Sequence, residues 1–98
     1  MPAFTVEVHS DASAEFQAAY DWYRDRNPLV ATTFFQEIDH AVDMIREHPD
    51  RWPLHIAGTR RYILRRFPFS VVFRVSGSKI VILAFAHGRR RPAYWRHR

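Results

Sequence analysis

The spacing of the apolar residues differs between consecutive parts of this chain, and each spacing limits the fold. Residues 4–8 alternate between apolar and polar side chains, which is typical of a half-buried strand. Across residues 11–26 the apolar residues recur every three or four positions, which predicts an amphipathic helix. Asp11 or Ser10 is expected to cap this helix, because short oxygen-bearing side chains accept hydrogen bonds from free helical amides. The chain therefore begins with a strand followed by a helix.

A second helix is predicted immediately after the first. Asn27 is followed by Pro28, and proline fits the first position of a helix because it needs no backbone donor there. Helical spacing continues to about His48, and Pro49 stops it. Because a single Asn-Pro junction separates the two helices, we expect a helical hairpin.

The second half of the chain has the spacing of strands. After an irregular connection at residues 49–58, three strands are predicted at residues 60–67, 69–75 and 79–86. The short Ser76-Gly77-Ser78 loop joins the last two as a hairpin. The expected fold class is α+β, in the order β-α-α-β-β-β, with a helical hairpin packed on one face of a small, mostly antiparallel sheet.

The middle strand of this meander has two unlike faces. One face carries the apolar side chains of Phe69, Val71, Phe73 and Val75. The helical hairpin is expected to cover that face, since only there are all the side chains apolar. The opposite face, with Arg74 near its centre, is expected to stay open and to present cations.

The charges are divided between the two halves of the chain. Residues 1–50 hold all ten carboxylates and three Arg, a formal charge of −7, whereas residues 51–98 hold twelve cations and no acid, a charge of +12. Fourteen of the fifteen cations are Arg, whose planar guanidinium pairs with phosphate or carboxylate at two points. This separation predicts a polyanion or an acidic protein segment as partner.

Several classes of protein are excluded or disfavoured. The chain has no Cys, which excludes disulfides and thiolate metal sites, and its six His residues lack the spacing of a metal site. It has no Gly-rich phosphate loop, and no signature surrounds a nucleophile. We therefore expect no metal, no cofactor and no small-molecule substrate. Without a signal peptide or membrane span, the 98 residues are expected to form one cytoplasmic domain, residues 1–98.

Residues 87–98, HGRRRPAYWRHR, form a basic aromatic segment that we call the tail. Arg side chains beside Tyr94 and Trp95 suit a nucleic acid, because guanidinium groups bind phosphates while aromatic rings stack on unpaired bases. An acidic protein groove would be bound equally well. Alternatively, Trp95 folds back onto the core and has no direct part in binding.

The segments FPFSVVFRV and HGRR, separated by a turn and an apolar strand, resemble the RelE/ParE superfamily of toxins from bacterial type II toxin–antitoxin modules. The resemblance covers nearly the whole chain, with the strand, two helices and meander in the order of the superfamily. It is closer to the ParE-type branch than to the RelE-type ribonucleases, whose Lys residues are missing here. It implies a toxin that is neutralised by an acidic, partly disordered antitoxin encoded beside it.

The resemblance implies two mechanisms. A ParE-like toxin does no chemistry and binds DNA gyrase, whereas a RelE-like toxin cleaves messenger RNA on the ribosome. In the RelE-like case the catalytic residues are Tyr94 and His87, which move protons, and Arg90, which stabilises the transition state. Neighbouring cations are then expected to lower the pKa of Tyr94. We favour the gyrase binder.

Either mechanism requires contacts with the target. The residues predicted to make them are Arg61, Arg65, Arg74, Arg89, Arg90, Arg91, Tyr94 and Trp95. A third hypothesis is a basic nucleic-acid-binding domain without toxicity. A short acidic reading frame next to this one would favour the toxin.

Overall fold

The structure, a computed structural model, describes residues 3–98. Its main elements are β1 (Thr5–Val8), α1 (Ser10–Arg26), α2 (Pro28–Glu47), β2 (Arg60–Ile63), β3 (Phe69–Ser76) and β4 (Lys79–His87). Two short 3-10 turns, Pro49–Arg51 and Ile56–Gly58, lie in the connection before β2. This order confirms the predicted strand, helical hairpin and three-stranded meander. In residues 3–98, neither α-helix combines the length and the apolar character needed to cross a lipid bilayer.

The junction of the helical hairpin is a single residue that caps both helices. The backbone N–H of Asn27 donates to the carbonyl of Tyr23 at 2.7 Å and so closes α1. The side-chain oxygen of Asn27 accepts from the N–H of Leu29 at 3.0 Å and so opens α2. With Pro28 in the first position, this arrangement confirms the predicted helix start.

The start of α1 differs from the prediction. The helix begins at Ser10, and His9 occupies the capping position, with its Nδ1 accepting from the N–H of Asp11 at 3.1 Å. The backbone N–H of His9 is itself bound to the carbonyl of Ile82 at 2.9 Å, at the end of β1. The chain thus turns into the helix directly after the strand. The prediction of Asp11 or Ser10 as the cap was wrong because both residues already lie inside the helix.

The sheet has four strands in the spatial order β1-β4-β3-β2. β1 is parallel to β4, and the other two pairings are antiparallel, which confirms a mostly antiparallel sheet. The pairing of β1 with β4 ends at Val8 and Ile82. Within residues 3–98, therefore, no strand lies beside residues 83–87 of β4 on the side away from β3.

The main core lies between the helices and one face of the sheet. Phe69, Val71 and Phe73 of β3 are all buried on this face. They pack in one cluster with Phe34 and Ile45 of α2. Full burial of such side chains contributes about 1.5–3 kcal/mol each, so this layer dominates the stability of the domain. The predicted register of the middle strand is confirmed.

The opposite face of the sheet was predicted to be open, but the structure shows that part of it is covered. Val72, Leu83, Ala84 and Ala86 form a second buried cluster with Trp95 of the tail. The side chains of Val72 and Ala84 have 1% and 0% of their surface exposed, so the cover over them is complete. The tail therefore serves as the second layer over this part of the sheet.

A bulge in β4 explains why this second cluster forms. Val72 pairs with Ala84, but the next residue, Phe73, pairs with Ile82. Leu83 is thus an extra residue of β4 that has no partner in β3, because its two neighbours pair with consecutive residues of that strand. It joins Ala84 on the face of the tail, whereas strict alternation would place only one of these two side chains there. The extra apolar side chain gives Trp95 a surface to pack on.

The strand predicted at residues 60–67 is shorter, because β2 ends at Ile63. A carboxylate oxygen of Glu37 in α2 accepts from the N–H groups of Arg65 and Arg66 at 3.0 and 3.1 Å. The other Glu37 oxygen accepts from Nε of Arg66 at 3.1 Å. These amides are bound to the helix rather than to a strand, and Pro68 has no N–H to donate.

Candidate target-binding surface

A cavity of about 280 Å³ lies on the face of the sheet opposite the helices. We call it the basic cavity. Six of the predicted site residues line it, namely Arg61, His87, Arg90, Arg91, Tyr94 and Trp95. They come from β2, from the end of β4 and from the tail. The fold thus brings together cations that lie far apart in the sequence.

The Arg residues of the basic cavity have no local counter-ions. Arg61, Arg90 and Arg91 are exposed, and among residues 3–98 no carboxylate lies within ion-pair distance of any of them. His55 also lines this cavity, and burial together with the charge of Arg61 lowers its pKa, which disfavours its charged form. A concave surface with unbalanced positive charge attracts an anionic partner.

Three other predicted residues do not line this cavity. Arg74 was expected at the centre of an open face, but its Nη2 donates to the carbonyl of Ala57 at 3.3 Å. Ala57 has a left-handed backbone (φ 60°), so Arg74 supports the turn that leads into β2. Arg65 lies in the loop bound to Glu37. Arg89 is exposed in the tail and precedes Arg90 in the sequence, but it does not line the cavity.

Backbone hydrogen bonds fold the tail into consecutive turns. The N–H of Gly88 donates to the carbonyl of Pro68 at 2.8 Å and ties the start of the tail to the end of the loop before β3. Within the tail, N–H groups donate to the carbonyl three residues earlier at Arg90, Tyr94 and Arg96. The cations of the tail are therefore held on an ordered backbone.

Trp95 is part of the core and not of the accessible surface. Only 5% of its surface is exposed, and it packs against Val72 and Leu83 in the second cluster. The alternative that Trp95 folds back onto the core is thus confirmed. Its contact with the target stays a prediction, and the burial of the indole disfavours stacking on a base.

Tyr94 is half-buried, and its surroundings do not make it a proton acceptor. Its hydroxyl is buried without a hydrogen-bond partner among residues 3–98. Burial, with the nearby carboxylate of Glu15, raises the pKa of Tyr94 and outweighs the opposing charges of Arg90 and Arg98. The expectation that neighbouring cations lower the pKa of Tyr94 was wrong. A raised pKa makes the hydroxyl a poor general base near pH 7.

The ring of Tyr94 has a clearer role, as a support for Arg90. The guanidinium carbon of Arg90 lies 4.0 Å from the centre of the ring, a cation–π contact. Such a contact restricts a side chain that is otherwise flexible. Tyr94 thus helps to fix the direction in which Arg90 presents its donors.

His87, the other predicted proton carrier, has one nitrogen already engaged. Its Nδ1 accepts from the N–H of Arg89 at 3.0 Å, and its ring stands edge-on to Phe69 with the centroids 5.0 Å apart. These contacts shape the turn from β4 into the tail. In residues 3–98, no group of three His, Asp or Glu side chains is placed to bind a metal ion.

A second cavity of about 620 Å³ lies on the other side of the tail, and we call it the apolar groove. Its walls include Ala18 and Trp22 of α1 and Phe85 of β4. His87, Arg90 and Tyr94 line this groove as well as the basic cavity, so they form the wall between the two. The groove was not predicted from the sequence, although Ala18 and Trp22 lie four residues apart and so share one face of α1.

Comparisons with known proteins agree with this fold. The family model described as "ParE toxin of type II toxin-antitoxin system, parDE" matches residues 6–92. A solved structure, the chromosomal ParDE TA system from P. aeruginosa, is similar with a TM-score of 0.77 and 28% identity. The similarity covers 89% of this chain and 98% of that one. No curated protein matches the chain significantly. Because the family model matches far more than half of the sequence, the chain belongs to the ParE toxin family of type II toxin–antitoxin systems.

Proposed function

We propose that this ParE toxin arrests growth by binding DNA gyrase through the basic cavity, without a chemical step. The observation that carries the proposal is the combination of accessible, uncompensated Arg side chains with a Tyr94 hydroxyl that is buried and has a raised pKa. Binding requires only that cations are presented at the surface. Catalysis would also require a group that can accept a proton near pH 7.

The contacts suited to such binding are those of Arg61, Arg90 and Arg91. Each guanidinium can form two parallel hydrogen bonds with a carboxylate or a phosphate group. Arg61 is carried by β2, and the other two by the tail that Trp95 fastens to the sheet. A complex of gyrase with cleaved DNA offers both acidic side chains and phosphates to this surface. Because β2 and the anchored tail already hold these Arg residues in place, binding needs little rearrangement of the backbone.

The second candidate is a ribosome-dependent messenger RNA endonuclease. A metal-independent cleavage of this kind needs one group to remove the proton of the ribose 2′-OH and another to protonate the leaving oxygen. Tyr94 and His87 are the candidates in the basic cavity, but the pKa of Tyr94 is raised and Nδ1 of His87 is engaged. Arg90 would then stabilise the transition state. This surface supports binding better than it supports proton transfer.

The antitoxin is the other partner that the family implies. We propose an acidic segment, because residues 51–98 carry a charge of +12 and no carboxylate of their own. A segment that is partly disordered before binding can wrap a small domain and cover widely separated cations. Since gyrase and a freshly made antitoxin are cytoplasmic, we also propose that the toxin acts in the cytoplasm.

The change Tyr94→Phe is expected to leave growth arrest intact. The hydroxyl has no partner within residues 3–98, and the ring that supports Arg90 is retained. As an endonuclease, the same variant would lose roughly 10²–10⁴-fold of its cleavage rate, as is typical when a general acid or base is removed. Tyr20→Phe, a change on α1, serves as the matched control.

The measurement is a time course of DNA and protein synthesis after induction of the wild type and both variants. For the proposed function, DNA synthesis stops first in all three strains. If protein synthesis stops first, and Tyr94→Phe is harmless to the host, the endonuclease is the correct reading and the proposal is refuted.

A further inference from the structure

Beyond the end of β1, two backbone groups of β4 are bound by side chains instead of by a strand. A carboxylate oxygen of Glu15 in α1 accepts from the N–H of Phe85 at 3.1 Å. The Nη1 group of Arg98 in the tail donates to the carbonyl of Leu83 at 2.9 Å. The first helix and the tail thus complete the exposed edge of β4 together.

Glu15 and Arg98 are also bound to each other at two points. Nη1 of Arg98 lies 3.0 Å from one carboxylate oxygen of Glu15, and Nη2 lies 2.9 Å from the other. The two side chains are only 15% (Arg98) and 14% (Glu15) exposed. A paired geometry at such low exposure is strong and directional. Removing Arg98 leaves the buried carboxylate of Glu15 without its cation, which is strongly unfavourable. Removing Glu15 leaves Arg98 with only the exposed carboxylate of Asp11, whose Oδ2 lies 3.7 Å from Nε of Arg98.

Contacts connect this ion pair to the wall of the basic cavity. The guanidinium carbon of Arg98 lies 5.0 Å from the ring centre of Tyr94, and that of Arg90 lies 4.0 Å from the same ring. Tyr94 therefore touches the ion pair and the exposed cation alike. One aromatic ring therefore lies between the guanidinium groups of Arg98 and Arg90.

The backbone of the tail depends on fixed points at both ends. Gly88 is bound to Pro68 at one end, and Arg98 is bound to Glu15 and Leu83 at the other. Between these points Ala93 has a left-handed backbone (φ 60°) and is buried. A residue other than Gly keeps such a conformation only where its surroundings hold it in place.

We propose that Arg98 is a positioning residue of the toxic surface. By pairing with Glu15 it holds Tyr94, and through Tyr94 it keeps Arg90 and Arg91 in the arrangement of the basic cavity. Arg98 itself does not touch the target. The effect on toxicity rests on the proposed function, whereas the anchoring of the tail is a property of the free protein.

The test compares Arg98→Ala and Glu15→Gln with Arg96→Ala, a control that removes an exposed cation from the same tail. Hydrogen exchange is measured for the amides of the tail and of β3. We expect tail amides to exchange about tenfold faster or more in the first two variants, as for a locally opened segment, while β3 is unchanged. Arg96→Ala is expected to exchange like the wild type.

Toxicity is measured in parallel as the inducer concentration that halves growth. Arg98→Ala and Glu15→Gln are expected to need on the order of tenfold more protein, because Arg90 is no longer fixed for binding. Arg98→Lys keeps the charge but only part of the paired geometry, so both of its readouts are expected to be intermediate. This variant also decides the matter if Arg98→Ala does not fold.

Three results would overturn the proposal. The first is that the tail amides of Arg98→Ala exchange at the rate of the wild type. The second is that they exchange faster while the variant stays fully toxic. The third is that the β3 amides exchange faster by the same factor as the tail amides, which would mean a general loss of stability. If the wild type fails to arrest growth, the proposed function is refuted, and the exchange data alone decide whether Arg98 anchors the tail.

Discussion

Replacing Arg89, Arg90 and Arg91 together with Ala is expected to abolish growth arrest while the domain remains folded. All three side chains are exposed, and among residues 3–98 none pairs with a carboxylate, so the fold loses little. Of the three, Arg90 and Arg91 line the basic cavity, and we count one charge-assisted hydrogen bond to the target from each. The loss of two such bonds, at about 1.5–3 kcal/mol each, weakens target binding by on the order of 10²–10⁴-fold. Growth after induction and the circular dichroism of the purified variant measure the two effects.

The matched control is the triple variant in which Arg24, Arg26 and Arg46 are changed to Ala. It removes the same charge from the two helices, on the other side of the sheet from the basic cavity. This variant is expected to remain toxic. If the tail variant is folded and still arrests growth, the working surface lies elsewhere, and if both variants are harmless, net charge rather than position decides toxicity.

Among the proposed variants, Trp95→Ala is expected to lower the free energy of unfolding most. The buried indole covers the second cluster, and removing a core Trp costs about 3–5 kcal/mol of the free energy of unfolding. A domain of this size has about 5–15 kcal/mol in total, so the variant is left only marginally stable. Urea unfolding of the purified proteins measures the difference.

Trp22→Ala is the control for this change, because Trp22 is 53% exposed on α1. We expect it to cost clearly less than Trp95→Ala. A Trp95→Ala protein with the stability of the wild type would show that the indole does not hold the tail. Toxicity lost in such a stable variant would return Trp95 to the target-binding residues.

The parts of the fold that were predicted correctly depend on neighbours in the sequence. The junction at Asn27 and Pro28 is set by capping and by the fixed backbone of proline, which act within a few residues. The face of β3 that holds Phe69, Val71 and Phe73 follows from alternation along one strand. Such features can be predicted from the local pattern alone.

The errors arise where a distant residue decides the outcome. The end of β2 is set by Glu37, which binds backbone amides 28 and 29 residues later in the chain. The cover over β4 requires the extra Leu83, and a bulge has no clear sign in an unbroken apolar run. Arg98 and Glu15 are 83 residues apart, so nothing in the local sequence links them.

The candidate site was predicted in composition but not in arrangement. The run of Arg residues and its aromatic neighbours marked the tail correctly as a cationic surface. Whether Tyr94 and Trp95 are exposed depends on how the tail packs on the sheet and on α1. That packing reverses the expected pKa shift of Tyr94, and it assigns Trp95 to the core.

The most direct test of the proposed mechanism is the supercoiling activity of purified DNA gyrase in the presence of the purified toxin. We expect the wild type and Tyr94→Phe to block supercoiling and to accumulate broken DNA, and the Arg89, Arg90 and Arg91 triple variant to do neither. Gyrase that is unaffected by the wild type, together with cleavage of messenger RNA on purified ribosomes, would contradict the account.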